Sequence, residues 1–185
     1  MKKNEKGFVL IVSLIFLVIM TMLGIFMFSG LTQDQKMAGN FREKSRALDA
    51  AQTGLNSVEY FLGQGNNAYI GPNNWASGIT CVANGSNAAS STPVICNSPL
   101  SNPSTLPWNS YTSYTPAGMT VAANGQNMYS SNTNIYTYFM GPTSTNPPSA
   151  LYQVTVTAKG GNDTATAVVK SVYKVTATSI DLGGG

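Results

Sequence analysis

The sequence predicts an α+β fold, with one long N-terminal helix packed on an antiparallel β-sheet head that carries long loops. Three observations predict it. From Phe8 to Phe28 the chain is apolar and free of charge. Beyond that, Ala47, Leu48, Ala51, Leu55, Val58 and Leu62 recur at three- and four-residue spacing, the signature of a one-sided helix. Residues 151–178 alternate by two around Gly160-Gly161-Asn162-Asp163, the signature of a β-hairpin.

The first seven residues form a short basic leader, with Lys2, Lys3 and Lys6 ahead of the apolar run. As a helix, Phe8 to Phe28 is about 31 Å long and matches a hydrocarbon core of about 30 Å. That is too long for a secretory h-region, and no A-x-A cleavage site follows it. The lysines place the N-terminus in the cytoplasm, with a single pass through the inner membrane. No proline occurs before Pro72, so one helix is expected from Phe8 to Leu62, about 80 Å long. Gly30 and Gly39-Asn40 are weak helix formers where it can bend or melt. Below them the helix is apolar all round. Above them it has one apolar stripe that must pack on a globular head.

Gly63-Gln64-Gly65 ends the helix, and the head is expected over residues 63–185. Residues 71–125 read mostly as loop, with short strands at Ile79-Val82 and Pro93-Cys96, because Pro99, Pro103, Pro107 and Pro116 break longer elements. Trp75, Trp108, Tyr111 and Tyr114 argue that this stretch packs. A strand is expected over Asn134–Met140, ended by Gly141-Pro142. Strands over Tyr152–Ala158 and Thr164–Thr178 follow. The last puts Ala165, Ala167, Val169, Tyr173 and Val175 on one face and Thr166, Lys170, Lys174 and Thr176 on the other. Three to five antiparallel strands laid across the upper helix would bury both apolar faces.

Composition excludes several functions. The net charge is +3, yet Tyr60 to Ala158 contains no Asp, Glu, Lys or Arg. Without a basic patch, nucleic-acid binding has no support. The chain has no His, which removes the commonest general base, and no other base is placed to activate a Ser or Thr. No catalytic, cofactor or metal site is expected. The two cysteines, Cys81 and Cys96, are a poor metal set and outside the cytoplasm are most simply a disulfide. It would close a loop of roughly 16 residues and contribute roughly 3 kcal/mol. Asp34, Lys36, Arg42, Glu43 and Arg46 read as helix-surface pairs. The Tyr-, Ser-, Asn- and Gly-rich middle has the composition of binding loops, or of a neutral hydrated surface.

Lys6-Gly7-Phe8 before an uninterrupted apolar helix resembles the class III signal of type IV pilins and pseudopilins. The resemblance implies cleavage by a prepilin peptidase between Gly7 and Phe8 and N-methylation of Phe8. Gln35-Lys36-Met37-Ala38-Gly39-Asn40-Phe41-Arg42 and Ala47-Leu48-Asp49-Ala50-Ala51 narrow it to the N-terminal region of PilX-type minor pilins. Val154–Gly160 and Val168–Tyr173 resemble that family's final hairpin. The type IV pilin fold is therefore expected, in a protein that waits in the inner membrane and then joins a pilus at the cell surface. Implied partners are the peptidase, other minor pilins, the major pilin and a PilY-type tip adhesin.

One residue departs from that pattern. Most pilins carry a glutamate as the fifth residue of the mature chain, and Val12 stands there. In the family that carboxylate is held to meet the terminal ammonium of a neighbouring subunit. A valine favours the first place, at the pilus tip, where no subunit above needs neutralising. A shaft position or a protein that stays in the membrane are the rival readings. Two other identities stay open: a tip pseudopilin of a type II secretion system, and a membrane-anchored adhesin that never polymerises. The first usually carries a large helical insertion that this chain lacks. The mature N-terminus separates the second.

Overall fold

A run of 58 residues without proline forms α1, Lys6–Gly63. The computed structural model describes residues 6–71, 74–81, 92–105, 108, 111–115 and 128–177. Residues 1–5 of the leader, Val82, Pro107, Pro116, Thr178 and the side chain of Lys6 lie outside the described residues. Gly30 and Gly39-Asn40, where a bend or melting was expected, are helical, because intrahelical bonding continues through them. The chain divides into two compact units, Met1–Arg42 and Glu43–Gly185.

In the first unit every described residue from Phe8 to Leu31 is exposed. Its few hydroxyls are satisfied on the helix itself. Ser13 donates to the Leu10 carbonyl at 2.9 Å and Thr21 to the Val18 carbonyl at 2.8 Å. A helix with no unpaired polar group can sit in an apolar surround without that penalty.

In the second unit the helix meets a five-stranded sheet. Its strands are β3 (Ile95–Cys96), β4 (Thr112–Tyr114), β5 (Thr133–Thr143), β6 (Ser149–Lys159) and β7 (Thr166–Thr176). Their order is β3-β5-β6-β7, with β4 also beside β5. A separate small pair joins β1 (Tyr69–Gly71) to β2 (Asn74–Trp75). The layout is α+β, as the sequence predicted, but the sheet is mixed. β3 runs parallel to β5, with Ile95 opposite Thr137 and Cys96 opposite Tyr138. The expected strand at Ile79 is a single parallel bridge to Cys96. Gly141 does not end β5 either. It takes a φ of 125°, open to glycine alone at little cost, and the register slips there before β5 resumes to Thr143.

Small residues set the helix–sheet distance. Ala47, Ala50 and Ala51 are buried, and a Cβ on Gly54 would stand 2.7 Å from Thr133 Cγ2 and 3.0 Å from Val156 Cγ1. Ile135, Val154, Val156, Ala158 and Ala167 share one buried core with the helix's Ala47, Ala50 and Ala51, and Val58 and Leu62 join it at the upper end. Leu48, expected in the buried stripe, is 42% exposed, and Ala50 takes its place in the core. Tyr152 lies at the centre of β6, fully buried. Its hydroxyl is 3.2 Å from the carbonyls of both Ala68 and Ala76, and so fastens the β1–β2 pair to the main sheet. Burial pushes this phenol up from 10.0 to about 12.

The turn between β6 and β7 is clamped to the start of the head's helix. The Gly161 N–H donates to Glu43 Oε2 at 2.6 Å, Arg46 Nη1 lies 3.1 Å from Glu43 Oε1, and the Lys44 ammonium donates to the Thr166 carbonyl. A Cβ on Gly160 would stand 2.4 Å from the Glu43 carbonyl oxygen, so only glycine permits this approach.

Two outcomes follow for the head. Gly160→Ala is expected to cost about 1–3 kcal/mol, because the clash is with backbone and cannot relax through a side chain. Urea denaturation of the variant checks it. The raised Tyr152 value adds a contribution to the head's stability that is fully present below pH 10.0 and progressively lost as pH rises towards about 12. Tyr152→Phe is expected to flatten that loss, at a cost of about 1 kcal/mol at neutral pH for the missing hydrogen bond. Denaturation midpoints measured across that pH range read both effects.

Candidate assembly surface

Two surfaces are available for function, one in each unit. The first is the lower helix. Phe8 and Val12 sit one turn apart, so they share a face. Phe8 is 72% and Val12 44% exposed. From Phe8 to Gln33 the sequence holds no charged side chain, and the helix is long and apolar enough to cross a membrane. Val12 thus occupies its face with a branched alkyl group where a carboxylate would have offered an anion. Gly7 and Phe8 lie in the first turn of α1.

The second surface is the outer side of the sheet in the charge-free region. Cys81 and Cys96 form a disulfide, with Cα atoms 5.5 Å apart. Cys96, Trp108 and Tyr136 are buried together there, with Cys81, Leu100, Tyr111 and Tyr138 packed around them. The Tyr136 hydroxyl donates to the Ser98 carbonyl at 2.8 Å, and Trp108 Nε1 to the Pro103 carbonyl at 3.2 Å. These side chains are committed to holding loops, which is why the described part of the proline-rich stretch packs. Among the described residues no three of Cys, Asp and Glu gather where a metal ion could bind. Asp163 sits 2.9 Å from Lys159, whose ammonium holds its carboxyl below the usual value. That pair steadies the β6–β7 turn.

Gly7 and Phe8, expected to flank a cleavage point, and the cysteines fall in different units. Sequence reasoning missed the clamp made by Glu43, because a carboxylate on a helix surface gives no sign of a turn 118 residues away. It also passed over the exposure of Met37 and Phe41, at 71% and 78%.

Residues 6–56 match the family model described as the PilX N-terminal region. This match supports a PilX-type minor pilin, a structural member of the type IV pilus system, and the long apolar helix fits membrane anchoring and pilus assembly. No curated protein and no solved structure matches the chain.

Replacing Cys81 and Cys96 together by Ser is expected to lower the head's stability by about 3 kcal/mol. A denaturant titration of the protein under non-reducing conditions measures it.

Proposed function

We propose that this minor pilin of the PilX type helps initiate type IV pilus assembly and sits at or near the pilus tip. The observation that carries the reading is Val12 on an uncharged helix face. In a filament the helices lie in an apolar interior. An ammonium left there without a counter-charge costs several kcal/mol. A subunit added from below uses a carboxylate at the position of Val12 to neutralise the ammonium of the subunit above. This chain has none to offer, so the place it fills at least cost is the first, with no subunit above it.

The remaining steps follow from the same reading. The precursor is held as a single pass with its N-terminus in the cytoplasm. Prepilin peptidase cuts between Gly7 and Phe8, and Phe8 becomes the methylated N-terminal residue. The helix then moves sideways from lipid into the filament, exchanging one apolar surround for another. The major pilin packs below, other minor pilins beside it, and a PilY-type adhesin is the candidate partner of the head.

Val12→Glu tests the tip position. The tagged wild-type protein should label one end of each pilus, while the variant gains entry along the shaft. Wild-type label scattered along the filament would defeat the reading. Mass spectrometry of the mature protein should show methylated Phe8 at its N-terminus. A chain that keeps Met1 points to a permanent anchor instead.

A further inference from the structure

β7 has a strand beside it on one side only. β6 pairs with it along all of Thr166–Thr176. Just beyond its ends, the Ala165 carbonyl accepts from the Gly160 N–H and the Ala177 N–H donates to the Pro148 carbonyl. Odd-numbered residues therefore bond towards β6. Thr166, Val168, Lys170, Val172, Lys174 and Thr176 turn their N–H and C=O groups the other way. Among the described residues no strand meets them. Their side chains lie on the sheet face away from the helix, because Ala167, Val169, Tyr173 and Val175 belong to the helix-side core. Val168 is 40% and Val172 52% exposed, and exposed Lys170 and Lys174 alternate with them. The edge thus reads Val-x-Lys-x-Val-x-Lys.

Charge selects the occupant. The sequence from Tyr60 to Ala158 is uncharged and Lys159 is paired with Asp163, while among the described residues Lys170 and Lys174 have no acidic partner. The two lysines stand about 13 Å apart, four residues at about 3.3 Å each. Antiparallel pairing, the more stable kind per residue, sets residues of an added strand directly opposite those of β7. The best complement carries an acid opposite Lys174, an apolar residue opposite Val172, an acid opposite Lys170 and an apolar residue opposite Val168. From its N-terminus that strand reads acid-x-apolar-x-acid-x-apolar. No two of the seven Asp and Glu residues of this chain stand four apart. Neither a second copy nor another stretch of the same chain supplies the pattern. We propose that the β7 edge takes up an extended segment of a different protein, with acidic and apolar residues alternating in that order, as a further strand of the sheet. The outward backbone groups give affinity, and Lys170 and Lys174 give specificity and register. Such docking needs only the head and is independent of the place the protein takes in a pilus.

The test uses the full chain in detergent micelles, with the peptide Thr-Glu-Thr-Val-Thr-Glu-Thr-Val-Thr as the probe. The peptide should bind, and the amides of Val168, Lys170, Val172 and Lys174 should then exchange with solvent about tenfold more slowly. Methylating the backbone nitrogens of the peptide's Glu and Val residues should weaken binding by about tenfold, because a strand needs those donors and a simple charge contact does not. Lys170→Glu together with Lys174→Glu should weaken binding by about tenfold as well. That variant should gain binding to a peptide with Lys in place of each Glu, which also shows that it is folded. Three results overturn the proposal: no binding by the wild-type chain, binding without slowed exchange at those amides, and equal binding of the methylated peptide. A charge-swapped chain that keeps the acidic peptide overturns it too.

Discussion

The head depends on how closely its sheet can approach its helix. Ala47, Ala50, Ala51 and Gly54 leave almost no side chain on the buried face, so Val156 and Thr133 come to rest on the backbone itself. A larger residue at Gly54 would push β5 and β6 away together, because both strands touch the same point. The distance set here passes to everything else. It decides that Tyr152, at the centre of β6, reaches the carbonyls of Ala68 and Ala76. It also decides that the β6–β7 turn can lie against Glu43 without room for a Cβ.

The same helix answers to two surroundings. From Phe8 to Phe28 it is apolar on all sides, a composition suited to lipid or to other helices. From Glu43 to Gly63 its buried side is a narrow stripe of small residues, suited to a sheet. The functional content is where apolar surface is placed and where charge is withheld, and Val12 belongs to the second kind. In the function proposed above, the missing carboxylate at Val12 is what bears on the order of assembly.

Much of this was legible from periodicity. The helix showed itself through an apolar run of the right length and a 3.6-residue repeat, and the final hairpin through alternation around Gly160-Gly161. Both signals are local. The short strands were harder because distant partners create them. β3 has two residues and exists through its pairing with β5 and through the Cys81–Cys96 bond. β4 is three residues that pair with the start of β5, and β1–β2 is held by a tyrosine over 70 residues away. Leu48 misled for a related reason. Its spacing fits the stripe, but the close sheet selected Ala50 instead. At the candidate surface, the expectations for Gly7, Phe8 and Val12 rest on sequence position alone. The Glu43 clamp was not readable, since it exists only once the hairpin has folded back.

The register of β6 with β7 has one more consequence. Gly160 N–H bonds to the Ala165 carbonyl and Ala177 N–H to the Pro148 carbonyl, both at 2.8 Å. The odd-numbered residues of β7 therefore bond to β6, and the even-numbered ones turn their backbone groups towards the outer edge of the sheet. Among the described residues no strand pairs with that edge. Such an edge is eleven residues long and invites a second copy to zip onto it. Lys170 and Lys174 stand on it, exposed. In the two-fold registers that overlap two such strands most fully, each lysine meets a lysine of the other copy directly or on the diagonal, which is repulsive. The strand most open to pairing with a second copy thus carries, along its outer edge, the charges that disfavour that pairing.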